Sequence, residues 1–304
     1  MVPAVIIPAG LLVDRLIGDP DSRYHPVALL GRLIGWWGRP SVWSPKAARI
    51  AGILMWIGTV FLFALPFLLF SVFAPWYLYV IIAPFLLKIC LAWRSLEEHA
   101  ERVIDAVRRD LGEGRGQVSM MVSRDSRELS REQVLSAGYE SMTENLVDSI
   151  ISPLFFFGLA GLTGAAVYRA ANTMDAMLGY KDERKDLGWW PARMDDLLNY
   201  IPARITGGLL LLYFACKGRF RQAWHTFRED GKKRPGYNGG IPMAIMAGGT
   251  GIVFEKPGIY RIGPGMRSFD EAGPEIFSAV RVVTLVFAGL LTGAVLLLQV
   301  LLIM

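Results

Sequence analysis

The sequence predicts an all-α, polytopic membrane protein with long polar connections and a single short β-hairpin, on three observations. Hydrophobic residues make up 53% of its 304 residues, and the mean hydropathy is +0.37, above an ordinary soluble domain. The excess is concentrated: residues 50–73 carry no charge, 74–93 only Lys88, and 280–304 only Arg281. Each run matches the roughly 20 residues that a bilayer-crossing helix needs.

Three weaker runs complete the expected set of spans. Residues 2–17 lack a basic start and a small-residue cleavage site, so they read as a helix and not as a signal peptide. Residues 150–171 form a second weak span. Residues 205–215 are short for a crossing, and read as a half-helix or the end of a tilted helix opening at Asp195 and Asp196. Polar stretches separate these runs at 14–49, 94–148, 172–204 and 217–280. With no repeat and no low-complexity linker, residues 1–304 read as one domain. Lysine and arginine occur in all four polar stretches, so charge asymmetry does not orient the chain.

Within the second polar stretch, Ser130 and Gln133 have the spacing of a capping box and open a helix to about residue 150. Leu135, Tyr139, Met142 and Leu146 share one face of it, and Glu140, Glu144 and Asp148 recur every four residues on the other. In the fourth stretch, GIVFEKPGIYRIG, residues 251–263, places β-branched and aromatic residues around Lys-Pro-Gly and predicts the hairpin. GYNGGIPMAIMAGGTG, residues 236–251, reads as a flexible re-entrant loop; it has neither common nucleotide-binding fingerprint. Cys90 and Cys216 stand apart with only three histidines, which argues against zinc or a disulfide framework. The formal charge of +5 fits anchoring at a membrane surface. No basic block interleaved with aromatics supports nucleic-acid binding.

The chemistry concentrates at the borders of the apolar runs, where charge is costly unless paired, wet or functional. RMDDLLNYIPAR, residues 193–204, gathers Asp195, Asp196, Asn199, Tyr200 and Arg204. Asp195 reaches Asn199 at helical spacing, and Asp196 reaches Asn199 or Tyr200. Pro191 suits a first helical position, and Pro202 is expected to end or kink the helix. Interfacial anchoring accounts for Tyr200 and Arg204 but not for two adjacent aspartates. Arg169, Asn172 and Thr173 face one way on a helix, either as a site or as a snorkelling, capped helix end. The acidic stripe is either a Mg²⁺ site or a solvated face. The N-terminal stretch supplies Asp14, Asp19, Arg23, His25 and Arg32. Serine and cysteine stand in no recognised nucleophile motif, which disfavours acyl-enzyme chemistry.

In order along the chain, LLVDRLIGDPDSRYHPVALLGRLI (11–34), VSRDSREL (122–129), ESMTENLVDSIISPLFF (140–156), YRAANTMDAMLGYKDER (168–184) and WWPARMDDLLNYIPAR (189–204) resemble the CobD/CbiB membrane family of cobalamin biosynthesis. The matches cover most of the chain outside its apolar spans. Near 237–243 the pattern departs: Asn238, Gly239 and Gly240 carry over, but Met243 stands where many members have a glutamate, so no acid is assigned there.

The resemblance implies an adenosylcobinamide-phosphate synthase, an ATP-dependent ligase joining adenosylcobyric acid to aminopropanol phosphate or a related amino-alcohol. It implies ATP and Mg²⁺, the corrinoid as substrate, the lipid bilayer and other corrinoid-assembly enzymes as partners, and a cytoplasmic membrane site reached from the cytoplasm. Asp195, Asp196, His25, Asp125 and Asn172 are the expected catalytic residues. Arg124, Arg169, Arg184, Asn199, Tyr200, Arg204, Asn238, Gly239, Gly240, Asp14 and Asp19 are the expected substrate or nucleotide contacts. Glu140, Glu144 and Asp148 are the expected metal ligands. A corrinoid transporter and a non-catalytic scaffold are the rival classes. The first would show paired, interrupted repeats, and the second would not need so many ionisable border residues. A shared site requires that residues 150–171 and 205–215 not both be ordinary crossings.

Overall fold

The computed structural model describes residues 2–19, 22–44, 46–122, 125–180 and 182–303. In chain order the helices are α1 (Val2–Ile17), α2 (Pro26–Trp37), α3 (Ala48–Phe73), α4 (Trp76–Cys90), α5 (Trp93–Arg109), α6 (Leu111–Ser119) and α7 (Arg131–Leu146). A π turn, Val147–Ile151, leads into α8 (Ser152–Leu178), followed by α9 (Trp189–Leu198), α10 (Tyr200–Cys216), α11 (Phe220–Asp230) and α12 (Gly240–Thr250). The strands β1 (Phe254–Lys256) and β2 (Tyr260–Ile262) precede α13 (Phe269–Ile303). The fold is all-α and polytopic, with the expected hairpin: Phe254 pairs with Ile262 and Lys256 with Tyr260, antiparallel.

Among the described residues, four helical stretches are long and apolar enough to cross a membrane: Ala48–Phe73, Trp76–Arg109, Arg131–Leu178 and Phe269–Leu301. By composition, α9 and α10 taken together would add a broken fifth. The third stretch is not a straight crossing. Within α8 the backbone leaves the helix at Ala160 and Gly161, and Gly161 has φ 61° and ψ −151°, a conformation open essentially to glycine alone. Beyond it the chain folds back. The rings of Phe156 and Tyr168 stack at 5.4 Å, where twelve residues of straight helix would separate them by about 18 Å. The expected span at 150–171 is therefore a helical hairpin. From Ser152 and Tyr168 to the turn it extends about 12 Å, less than half of a hydrocarbon core of about 30 Å.

The chain divides into two compact units. The first comprises residues 1–92, 148–199 and 288–304. In it, Leu30, Ile34 and Trp37 of α2 pack with Ala51 of α3, with Ala170, Met174 and Leu178 of α8, and with Leu187. The second comprises residues 93–147 and 200–287. There α7 starts at the predicted capping box, with both reciprocal hydrogen bonds between Ser130 and Gln133 present. Its predicted apolar face is buried: Leu135 and Met142 are fully enclosed, and Tyr139 stacks on Phe269 at 5.4 Å.

One local expectation needs correction. The glycine-rich segment is no flexible loop, because residues 240–250 form the buried helix α12. Gly248 lies so close to Thr226 that a Cβ would approach its hydroxyl to 2.5 Å, and Gly249 lies directly against the Phe214 ring. The glycines thus let α12 pack closely against α11 and α10. The expected kink at Pro202 is present: the helical run breaks and bends at Asn199, and Pro202 occupies the first turn of α10, where a missing N–H costs nothing.

Candidate active site

Proline sets the local geometry at the entrance to α8. In a regular helix the N–H of residue 153 would bond the carbonyl of Ser149, but Pro153 has none and its ring would crowd that oxygen. The helix widens into the π turn immediately before Pro153, and the Ala92 N–H supplies the missing donor to the Ser149 carbonyl at 3.1 Å. Single π turns recur at functional sites. This one delivers Ser152 to a buried polar network in the first unit.

The network centres on Asn199. Its Oδ1 accepts from the Ser152 hydroxyl at 2.6 Å and the Tyr168 hydroxyl at 2.8 Å. Its Nδ2 donates to Asp195 Oδ2 at 2.9 Å, while Asn172 Nδ2 donates to Asp195 Oδ1 at 3.1 Å. Asp195 is 8% exposed and Asn199 2%. Asp175 and Asp196 lie close enough for their charges to act on Asp195, and Asp148 acts on Tyr168. The expected grouping of Asp195, Asn172 and Asn199 is thus present, held by two residues that helical spacing did not single out, Ser152 and Tyr168.

A second polar group in the same unit contains His25, Asp19, Lys88 and Arg169. Lys88, 5% exposed in an apolar helix, pairs with Asp19. Burial lowers the His25 pKa below its usual value; Lys88 and Arg169 lower it further, while Asp19 opposes them. The imidazole is therefore neutral at physiological pH and able to accept a proton. Arg169 Nε is buried without a hydrogen-bond partner. Lys88 was legible as the single charge in its run; its partner was not. Asp14 is fully buried in α1. Arg184 closes a local turn: it donates to Asp182 and to the Met177 carbonyl at 2.8 Å and holds the Asp182 carboxyl down at about 2.

The second unit carries Glu140 and Glu144 of the acidic stripe, while Asp148 belongs to the first. The stripe is no solvated face at Glu140, which is 5% exposed. Glu140 Oε1 accepts from Ser136 at 2.6 Å and Oε2 from the Tyr260 hydroxyl at 2.9 Å. Glu144 is paired with Arg234. After Glu144 the π turn interrupts the four-residue recurrence on which the stripe was based, with Asp148 as its second residue. Among the described residues, no group of three or more His, Cys, Asp or Glu side chains gathers as a metal site. Arg204 lies over the Tyr200 ring, 3.4 Å from its centroid, and reaches Asn238 Oδ1 at 3.3 Å. Gly239 and Gly240 lie against the side chain of Arg234 and the Gly231 carbonyl, respectively. Asp125 forms an exposed pair with Arg127 at 2.6 Å, which lowers its carboxyl to about 2. Arg124 lies outside the described residues.

Comparison with known proteins agrees across the length of the chain. The family described as CobD/Cbib protein matches residues 7–299. A probable cobalamin biosynthesis protein CobD of Methanothermobacter thermautotrophicus is 41% identical over 261 residues, 84% of each chain. One of Thermococcus kodakarensis is 40% identical over 291 residues, 95% of this chain and 94% of its own. A cobalamin biosynthesis protein CobD of Dehalococcoides mccartyi is 34% identical over 272 residues, 85% of this chain and 86% of its own. No solved structure matches the chain.

Proposed function

The chain belongs to the CobD/CbiB family of cobalamin biosynthesis, and from that premise we propose that it is an ATP-dependent amide ligase. Its substrates would be adenosylcobyric acid and aminopropanol phosphate, or a related amino-alcohol, and its product adenosylcobinamide phosphate or the corresponding cobinamide. The reading places the enzyme in the cytoplasmic membrane, with its site open to the cytoplasm and to other corrinoid-assembly enzymes.

A carboxylate and an amine form a salt at neutral pH, so the acid must be activated; ATP would supply that driving force by forming a phosphate-containing anhydride. The observation that carries the reading is the buried carboxylate of Asp195, held on both oxygens by the amides of Asn172 and Asn199. Asparagine donors fix the carboxylate's orientation without neutralising its charge, which suits a group that orients an ammonium or takes its proton. His25, kept neutral by its surroundings, is the second proton acceptor. The buried, unpartnered Nε–H of Arg169 fits a phosphate or carboxylate oxygen of a substrate, since guanidinium groups bind such oxyanions as planar forks.

A resident Mg²⁺ held by Glu140, Glu144 and Asp148 does not fit, because Glu140 and Glu144 are committed to Ser136, Tyr260 and Arg234. A nucleotide-borne Mg²⁺, which keeps phosphate oxygens and waters as ligands, needs at most one or two carboxylates from the protein. The test is to incubate the purified protein with adenosylcobyric acid, ATP, Mg²⁺ and a panel of amino-alcohols, and to follow the amide by mass spectrometry. Wild type should form amide, and Asp195→Asn and Asp196→Asn should each lose most turnover at normal yield. Absence of amide with every amino-alcohol refutes the ligase reading. Wild-type turnover in both variants instead removes the aspartates from the site.

A further inference from the structure

We propose that α11 is an interfacial helix that binds anionic phospholipid headgroups. The apolar helix α10 ends at Cys216, the chain turns at Gly218 with φ 71°, and α11 begins at Phe220. The helix therefore starts where the chain leaves its apolar run. It has three distinct sides. Ala223, Thr226 and Asp230 are buried. Phe220, Trp224 and Phe227 follow at spacings of four and three residues, so they form a second stripe. Phe220 and Trp224 are 45% and 41% exposed and stack at 6.2 Å, and Trp224 meets Phe227 at 5.6 Å. Arg221 and Arg228, seven residues apart and both exposed, flank that stripe. Exposed Lys217 and Lys232 stand just beyond the two helix ends, and Lys217 lies over the Tyr213 ring at 5.8 Å.

An exposed aromatic stripe bordered by arginines is unfavourable against water. It suits the headgroup layer, where the rings bury their faces and the cations meet phosphate. Juxtamembrane clusters of four or more basic residues bind acidic lipid in this way. Other basic residues nearby are already used: Arg219 pairs with Glu275, and Lys233 with Asp230 at 2.5 Å. Arg221, Arg228, Lys217 and Lys232 are the cations left for lipid, and Glu229 lies on the side turned away from the aromatic stripe. The surface does not depend on the ligase reading.

The experiment uses the full chain in nanodiscs of phosphatidylcholine with or without 30% phosphatidylglycerol, in a Cys216→Ser background. An environment-sensitive fluorophore is placed at Trp224→Cys, at Phe220→Cys, or at Glu229→Cys as the reference. Spin-labelled lipid should quench positions 224 and 220 at least threefold more than 229. Native mass spectrometry of wild type should show retained phosphatidylglycerol, reduced several-fold in Arg221→Gln/Arg228→Gln/Lys232→Gln. Thermal melting of each variant separates lost binding from lost fold. Equal quenching at 220, 224 and 229 overturns the interfacial placement. Quenching without any preference for phosphatidylglycerol overturns the headgroup assignment.

Discussion

Replacing Asn199 by alanine tests the buried network at its centre. The side chain accepts from Ser152 and Tyr168 and donates to Asp195, all within 2.9 Å. The substitution leaves two hydroxyl donors and one carboxylate oxygen short of a partner in a site that is 2% exposed at residue 199. Each unsatisfied buried group costs about 1–3 kcal/mol. The three act as one network and relax together, so their sum is discounted to about 3–5 kcal/mol. At about 1.5–2 °C per kcal/mol for a chain of 304 residues, from an unfolding entropy of about 2.1 cal/mol/K per residue, the melting midpoint in detergent should fall by about 5–10 °C. Tyr168→Phe removes one donor and leaves Ser152 bonded to the same oxygen, so it should cost only about 1 kcal/mol. The assay is a detergent thermal melt of wild type, Asn199→Ala and Tyr168→Phe side by side. If Asn199→Ala melts within about 2 °C of wild type, or no lower than Tyr168→Phe, Asn199 is not the centre of the network.

Further expectations concern the fold-back, the proton acceptor and sidedness. Gly161→Ala meets open space, its nearest neighbour being the Tyr79 hydroxyl at 3.9 Å, so its cost is backbone strain of about 1–3 kcal/mol. Gly208→Ala, in helix and equally uncrowded, should be neutral or stabilising by up to about 1 kcal/mol; equal melting of the two variants would mean that the turn does not require glycine. Because the His25 pKa is lowered, the neutral base persists below pH 6.5 and activity should fall only on further acidification. His25→Gln should remove that acid limb and lower the rate about 10²–10⁴-fold, and an unchanged limb would exclude His25 as the base. Single cysteines at Arg127 and Lys185, in a background lacking Cys90 and Cys216, should both react with an impermeant thiol reagent only when the cytoplasmic face is accessible. Labelling at 185 from outside intact cells refutes a cytoplasmic placement of that turn.

Patterns carried by neighbours in the chain were legible, and those that depend on distant partners were not. The Ser130 capping box, the hairpin around Lys-Pro-Gly and the reach from Asp195 to Asn199 are all local, set by a few residues of spacing. The fold-back at Gly161 was hidden because FFFGLAGLTGAAV has the hydropathy of an ordinary span, and no pattern of apolar residues records a φ of 61°. Glycine frequency misled at α12, where the glycines serve contact with Thr226 and Phe214. Periodicity left Glu140 either as a Mg²⁺ ligand or on a solvated face, but Ser136 and Tyr260 cover it, and Tyr260 is 120 residues away. The pairing of Lys88 with Asp19 spans 69 residues and was equally invisible.

The π turn before Pro153 makes this region intolerant of changes in length. A widened turn is an α-helix holding one residue more than regular winding needs, and the bulge absorbs that residue, so the helix beyond keeps its phase. Deleting one residue from Val147–Ile151 would restore regular winding and keep that phase, but it would bring the Pro153 ring against the carbonyl four residues before it, which the bulge now keeps clear. A substitution here removes one contact, whereas a one-residue deletion removes the room the proline needs. Proline and bulge are a matched pair, and a length variant would separate them.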